Sequence, residues 1–108
     1  MTATSPDPRE DVVMFERREL DAILRLYGMM VAAGEWRDYA IDGLKDRAEF
    51  SIFRHAAEHP IYRIVKTPAD ARRQGAWKVV AASGQILKRG HELAPVLRVF
   101  ERRRLRLA

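Results

Sequence analysis

The sequence predicts an α+β fold: an antiparallel sheet of four to five strands with an N-terminal and a C-terminal amphipathic helix packed on one face. Apolar residues recur at helical spacing near both ends of the chain, and short runs rich in β-branched and aromatic residues lie between them. Two amphipathic helices need an apolar surface to cover, and one face of an antiparallel sheet supplies it.

The first predicted element is a helix from about Phe15 to Ala33. Its apolar residues follow the three-and-four spacing of one helical face: Leu20, Ile23, Leu24, Tyr27, Met30 and Val31. Gly34 follows at the position where a left-handed C-terminal cap is favoured. Gly28 costs about 1 kcal/mol relative to Ala inside a helix, which indicates close packing or a small irregularity there.

After Gly34 the apolar periodicity becomes that of strands. Five strands are predicted, in chain order Tyr39–Ile41, Phe50–Phe53, Ile61–Lys66, Ala76–Ala82 and Gln85–Lys88. Glu58-His59-Pro60 is expected to form a turn between the second and third strands, and Ser83-Gly84 a two-residue hairpin turn between the last two.

Two further helices are predicted around these strands. A short one begins near Thr67, a candidate cap followed by Pro68, and ends before Gly75. The last runs from about His91 to Leu105, because a proline at position 95 is tolerated only in a first helical turn.

Length and composition favour one domain without covalent cross-links. The 108 residues are divided into a disordered leader, 1–13, and a single domain, 14–108. The absence of cysteine excludes disulfides, cysteine zinc sites and thiol nucleophiles. No apolar run approaches the roughly 20 residues that span a bilayer, so a cytoplasmic location without membrane contact is expected.

Three patterns that could carry chemistry do not meet its requirements. His55 and His59 lack the Glu directly after the first His that a zinc metalloprotease helix needs. The segment from Gly84 to Gly90 has five residues between its glycines and lacks the following Lys and Ser/Thr of a phosphate loop. The aspartates at four-residue spacing fall on strands and turns, where ion pairing explains them: Asp38, Asp42 and Asp46. We therefore expect no catalytic residue, cofactor or metal.

Charge is sorted along the chain. Residues 1–58 contain eight Lys and Arg against twelve Asp and Glu, a net of −4, whereas residues 59–108 contain twelve against three, a net of +9. Such polarity bears on partners rather than on fold. The sequence therefore predicts that the basic half binds an anionic partner, nucleic acid or an acidic protein, through Arg72, Arg73, Lys88, Arg89, Arg98, Arg102, Arg103, Arg104 and Arg106.

Alternatives to nucleic-acid binding remain open at this point. The basic side chains could be solvated, with those of the last helix complementing its dipole, or they could be neutralised by acidic residues of the first half: Glu16, Glu19, Asp21 or Glu35. The domain could instead bind proteins or form a homodimer, through an unpaired sheet edge or opposite-charge faces. Trp36 is a candidate for such a surface, provided that its indole is exposed.

Several segments resemble a family of small uncharacterised bacterial proteins, the domain of unknown function 2794 family. They are Ala33–Asp42, Leu44–Arg47, Phe50–Arg54, Tyr62–Ile64, Gln74-Gly75 and Gly84–Leu93. The resemblance extends from about Met14 to Arg103. It implies a compact bacterial cytoplasmic domain and brings no catalytic residue or ligand with it.

Overall fold

A computed structural model of the chain describes residues 12–55 and 59–107, with side chains described as far as Glu101 in the last helix. Within these described residues two helices flank five strands, and a 3-10 turn, Pro68–Asp70, follows the third strand. The elements are α1 (Arg17–Ala32), β1 (Asp38–Gly43), β2 (Ala48–Phe53), β3 (Tyr62–Lys66), β4 (Trp77–Ala81), β5 (Ile86–Gly90) and α2 (Leu93–Leu107).

The strands form one antiparallel sheet in the order β1-β2-β3-β4-β5, so each strand pairs with its neighbour in sequence. Residues directly opposite one another lie on the same face. One such row crosses the middle of the sheet and contains Ile41, Phe50, Ile64, Val79 and Lys88. In β5 the pairing skips Leu87, which makes a β-bulge opposite Val79 and Val80.

Both helices pack on the face that carries this row, as the sequence predicts. The core joins three buried residues of α1 and three of α2 to buried strand residues: Ile23, Leu26, Met30, Val96, Leu97, Phe100, Phe50, Ile52, Ile64, Trp77 and Val79. Both helices therefore pack against the same apolar face of the sheet. If they lay on opposite faces, the apolar residues would be divided between two smaller cores.

Helix α1 differs from its prediction in three respects. It starts at Arg17, since the backbone N–H of Glu16 is bonded by the Glu19 carboxylate at 2.8 Å in a capping arrangement. Val31 is exposed rather than part of the buried face. Gly28 has open space where a Cβ would lie, so close packing does not explain it. The helix itself ends at Ala32. Gly34 follows it with a φ of 79°, the left-handed conformation that the sequence predicts after the C-terminal end.

The remaining boundaries shift by a few residues. The short helix is reduced to the 3-10 turn, and the Thr67 side chain does not cap it. A hairpin turn forms before β5 with a φ of 93° at Gly84, but it contains three residues rather than the predicted two, because Ala81 donates its N–H to the carbonyl of Gln85. The last helix begins two residues later than expected, at Leu93, with Pro95 still in its first turn. Residues 56–58 lie outside the described residues, and with them Glu58, the first residue of the predicted turn before β3.

The first described residues lie against the end of β1. The backbone N–H of Val13 donates to the carbonyl of Leu44 at 2.8 Å, and Met14 lies beside Gly43. The chain is therefore tied to the sheet at Val13, the last residue of the predicted leader; residues 1–11 lie outside the described part.

Candidate anion-binding face

No described helix covers the second face of the sheet, which we call the open face. Strand register defines two rows of side chains across it. The first row contains Asp42, Glu49, Val65, Lys78 and Arg89, and the second contains Ala40, Ser51, Arg63, Val80 and Ile86. Sheets that face solvent on one side normally carry polar residues there; four of the five residues in the first row are charged, whereas three of the five in the second row are apolar.

Charge changes sign across the open face. The first row begins with two carboxylates on β1 and β2 and ends with two cations on β4 and β5. The cause is the topology: strand order follows chain order, so the acidic first half forms one side of the sheet and the basic second half the other. The charge sorting along the sequence thus becomes a charge gradient in space.

Glu49 neutralises part of the basic charge. Its carboxylate lies 2.7 Å from Arg47 Nε and 4.0 Å from Arg63 Nη1. The hydrogen bond to Glu49 and the charge of Glu49, followed by that of Asp46, raise the pKa of Arg47 above its ordinary value. Because Arg47 and Arg63 share this one carboxylate, neither can be counted as a fully free cation.

Lys78 and Arg89 have no such compensation. They lie directly opposite each other on β4 and β5, and no carboxylate of the described residues lies within ion-pair distance of either. Like charges in directly opposed positions of a sheet are destabilising. A bound anion would remove that repulsion, so this pair is the centre of the candidate site.

A shallow depression of about 270 Å³ lies beside the pair. Its floor is formed by the buried side chains of Val65 and Val80, and its rim carries cations from three strands or their ends: Arg47, Arg63 and Lys78. The Glu49 carboxylate also lines the depression and pairs with Arg47 and Arg63, so Lys78 is the lining cation that can attract a negatively charged group over the apolar floor.

Two of the predicted contacts lie near this pair. Arg72 and Arg73 are exposed in the turn after the 3-10 segment. That turn packs on the end of β5, because Gly75 lies against the backbone of Gly90 and the Ala71 carbonyl lies 3.0 Å from His91 Nδ1. The turn that carries the two exposed arginines therefore lies at the end of β5, next to Gly90.

The other predicted contacts do not join the open face. Lys88 pairs with Val79 and is exposed on the helix-facing side of the edge strand β5. Arg98 is exposed on α2, beside a groove that also contains Arg25 of α1. The side chains of four arginines lie outside the described residues: Arg102, Arg103, Arg104 and Arg106. The structure thus separates the predicted set, because helix and strand positions point to different layers.

The acidic residues of the first helix and its flanks do not pair with the described candidates. Glu19 binds Lys66 at 2.7 Å, and Glu35 lies 3.7 Å from Arg54. Within the described part of the chain, none of the predicted contacts has an ion pair with Glu16 or Asp21 either. Acidic residues of α1 and its flanks therefore do not neutralise the described basic side chains of the predicted set.

Trp36 is not a surface residue, contrary to expectation. Its side chain is 2% exposed, and its ring lies 5.0 Å from that of Phe100 and 6.5 Å from that of Tyr62. The next residue, Arg37, donates its N–H to the Phe53 carbonyl, so the chain has already joined the sheet. The indole consequently turns into the core between α2 and the sheet, and Trp36 contributes little exposed area to the depression of about 710 Å³ that it lines with Glu35 and Arg54.

Three cations of the candidate site, Arg47, Arg63 and Lys78, were not among the predicted contacts. Arg63 and Lys78 lie in strands whose alternate residues are buried on the helix side. The signal was available in the sequence: Arg63 is two residues before Val65, and Lys78 two before Val80, so each shares a face with an apolar residue. The sequence analysis predicted one uncovered face but did not assign Arg63 and Lys78 to the face that the two described helices leave open.

The described residues contain no group of three or more acidic, histidine or cysteine side chains that could hold a metal ion. In the same part of the chain, neither helix is long and apolar enough to cross a membrane.

The fold and the face define a small two-layer α+β domain with a five-stranded antiparallel meander and a charge-polarised open sheet face. The chain belongs to the family described as protein of unknown function (DUF2794), whose model matches residues 13–97. Comparisons with curated proteins and with solved structures gave no match.

Proposed function

We propose that this protein is a non-enzymatic binding module that engages nucleic acid through the basic side of its open face. The observation that carries the proposal is the opposed pair Lys78 and Arg89, which no described carboxylate neutralises. Since two opposed cations raise the energy of the free protein, a polyanion that approaches this face gains both their attraction and the relief of their repulsion.

The surroundings of the pair support a polymer rather than a single small anion. Arg72 and Arg73 extend the cationic surface past the end of β5, and Arg63 extends it toward the middle of the sheet. A backbone that carries one phosphate per nucleotide can meet several of these groups in succession. The proposal places the protein in the bacterial cytoplasm, in keeping with the expectation from its sequence.

The first test is a titration of fluorescently labelled RNA and DNA, single-stranded and duplex, followed by anisotropy at several salt concentrations. With about five phosphate contacts the slope of log K against log salt is near −4.5, so affinity falls several-hundred-fold between about 50 and 200 mM salt. Absence of binding at 50 mM, or binding that does not change with salt, overturns the proposal and favours a protein-interaction domain.

The second test locates the site with charge-matched variants. The double variant Lys78→Ala/Arg89→Ala loses two contacts, so its salt slope becomes shallower by about 1.8 and its affinity at low salt falls. The control Arg17→Ala/Arg18→Ala removes the same charge from the exposed first turn of α1, in the opposite layer. Equal weakening by both variants would indicate attraction to net charge alone and contradict a site on the open face.

A further inference from the structure

The sheet has two outer strands, β1 and β5, and no described residue pairs with the outer edge of either. They carry opposite charge. Edge strand β1 presents the exposed carboxylates of Asp38 and Asp42, whereas β5 presents Lys88 and Arg89. An unpaired edge offers a row of backbone N–H and C=O groups to another strand.

Apolar side chains accompany the backbone groups at these edges. On the helix-facing side of β1, Tyr39 is 39% exposed and Ile41 is 37% exposed, because no element lies beyond them. On the same side of β5, Leu87 packs at the margin of the core. Each edge therefore has apolar side chains on its helix-facing side, where β5 also carries Lys88, and each has a charged residue on the open face.

Charge decides which edges are compatible. Pairing β1 with β1 of a second copy would bring aspartates together, and pairing β5 with β5 would bring cations together. Like-charge contacts of this kind suppress association, whereas opposite charges guide it. The only combination of these two edges that matches charge is β5 of one copy with β1 of another.

The directions of the two edge strands and the orientation of their side chains are also compatible with that pairing. Four antiparallel steps separate β1 from β5, so the two strands run in the same direction. If both helix layers stay on one side, the new pair is parallel. Arg89 then lies beside Asp38 or Asp42 on the open face, and Leu87 lies beside Tyr39 and Ile41 on the other. A parallel pair at the margin of an antiparallel sheet is an ordinary feature of mixed sheets.

We propose that the chain associates with further copies of itself head to tail, with β5 of one copy adding to β1 of the next to form a continuous sheet. The interface is heterologous, so each copy keeps one free edge and assembly proceeds beyond a dimer unless it closes into a ring. This inference goes beyond nucleic-acid binding and does not depend on it.

The test measures the mass of the full chain by sedimentation over a range of concentrations. At about 20 mM salt the average mass should rise with concentration above that of the 12.5 kDa monomer, and at about 500 mM salt screening should return it to the monomer. A monomer under both conditions, or association that salt does not weaken, overturns the proposal.

A charge-swap experiment then identifies the edges. Asp38→Lys/Asp42→Lys gives a chain with two basic edges, and Lys88→Glu/Arg89→Glu one with two acidic edges. Each alone should associate at least about tenfold more weakly than the wild type, and an equimolar mixture should regain association, because opposite edges meet again. Circular dichroism checks that both variants fold.

The matched control for the aspartate variant is Asp21→Lys/Glu101→Lys, which makes the same charge change at exposed helix positions and should associate as strongly as the wild type. Loss of association in only one of the two edge variants would indicate pairing of like edges, and a mixture that stays monomeric would exclude the β5–β1 contact. The aspartate variant keeps the basic face, so its nucleic-acid titration separates this proposal from the preceding one.

Discussion

Lys66 connects the start of α1 to the sheet from the helix side. Its ammonium group lies 2.7 Å from Glu19 Oε1 and 3.0 Å from the Met14 carbonyl, and it lies 6.0 Å from the centre of the Trp77 ring. The side chains of the pair are only 14% and 20% exposed. A partly buried charge pair of this kind is costly to break from one side, because the remaining charge loses its partner.

We predict that Lys66→Met lowers the free energy of unfolding by about 2 kcal/mol, since Glu19 keeps only its bond to the Glu16 N–H. The double variant with Glu19→Gln should lose less than the two single variants together. Urea denaturation measures all three, and Lys88→Met serves as the exposed control with an effect within about 0.5 kcal/mol. Strict additivity of the single effects would contradict a direct interaction.

The secondary-structure environments of Gly28 and Gly75 differ, although the sequence does not distinguish the two glycines. Gly28 lies in the interior of α1, and a Cβ there would meet no atom within 4 Å. Gly75 precedes β4 with a φ of 98°, and a Cβ there would come within 2.1 Å of the Gly90 backbone. The first is free to change, whereas the second holds the Arg72–Arg73 turn against β5.

Gly28→Ala should therefore raise the free energy of unfolding by about 0.5–1 kcal/mol, because alanine loses less backbone entropy in a helix. Gly75→Ala should lower it by about 2–4 kcal/mol, because the positive φ and the steric overlap act together. Chemical denaturation measures the free energy of unfolding of both variants, and each serves as the control for the other. If both substitutions changed the free energy of unfolding in the same direction, the result would contradict the difference between the two backbone environments.

At the scale of the whole molecule, the charge gradient connects the two proposals. Arg89 belongs to the basic face and also to the β5 edge, so a polyanion bound there would neutralise the charge that attracts β1 of another copy. We predict that a short oligonucleotide, added at low salt to the associated protein, reduces the average mass of the protein component. Sedimentation with absorbance detection of the labelled nucleic acid measures both species, and an unchanged or increased protein mass would contradict competition.

The sequence alone determined the fold class with its four to five strands, the first helix with the left-handed Gly34 after its C-terminal end, and the glycine turn at Gly84. Each of these depends on local periodicity or on the conformation of a single residue, which neighbouring positions in the chain specify. The same local signals located the surplus of basic charge in the second half.

The tertiary structure alone decided which side of the sheet stays uncovered, and with it the candidate site. Whether Trp36 is buried, whether Lys78 faces Arg89, and whether Glu19 pairs with Lys66 depend on contacts between residues distant in sequence. The periodicity of a strand shows that alternate side chains share a face, but packing of the helices selects the face that water reaches. The meander order then converts charge along the chain into charge across the sheet.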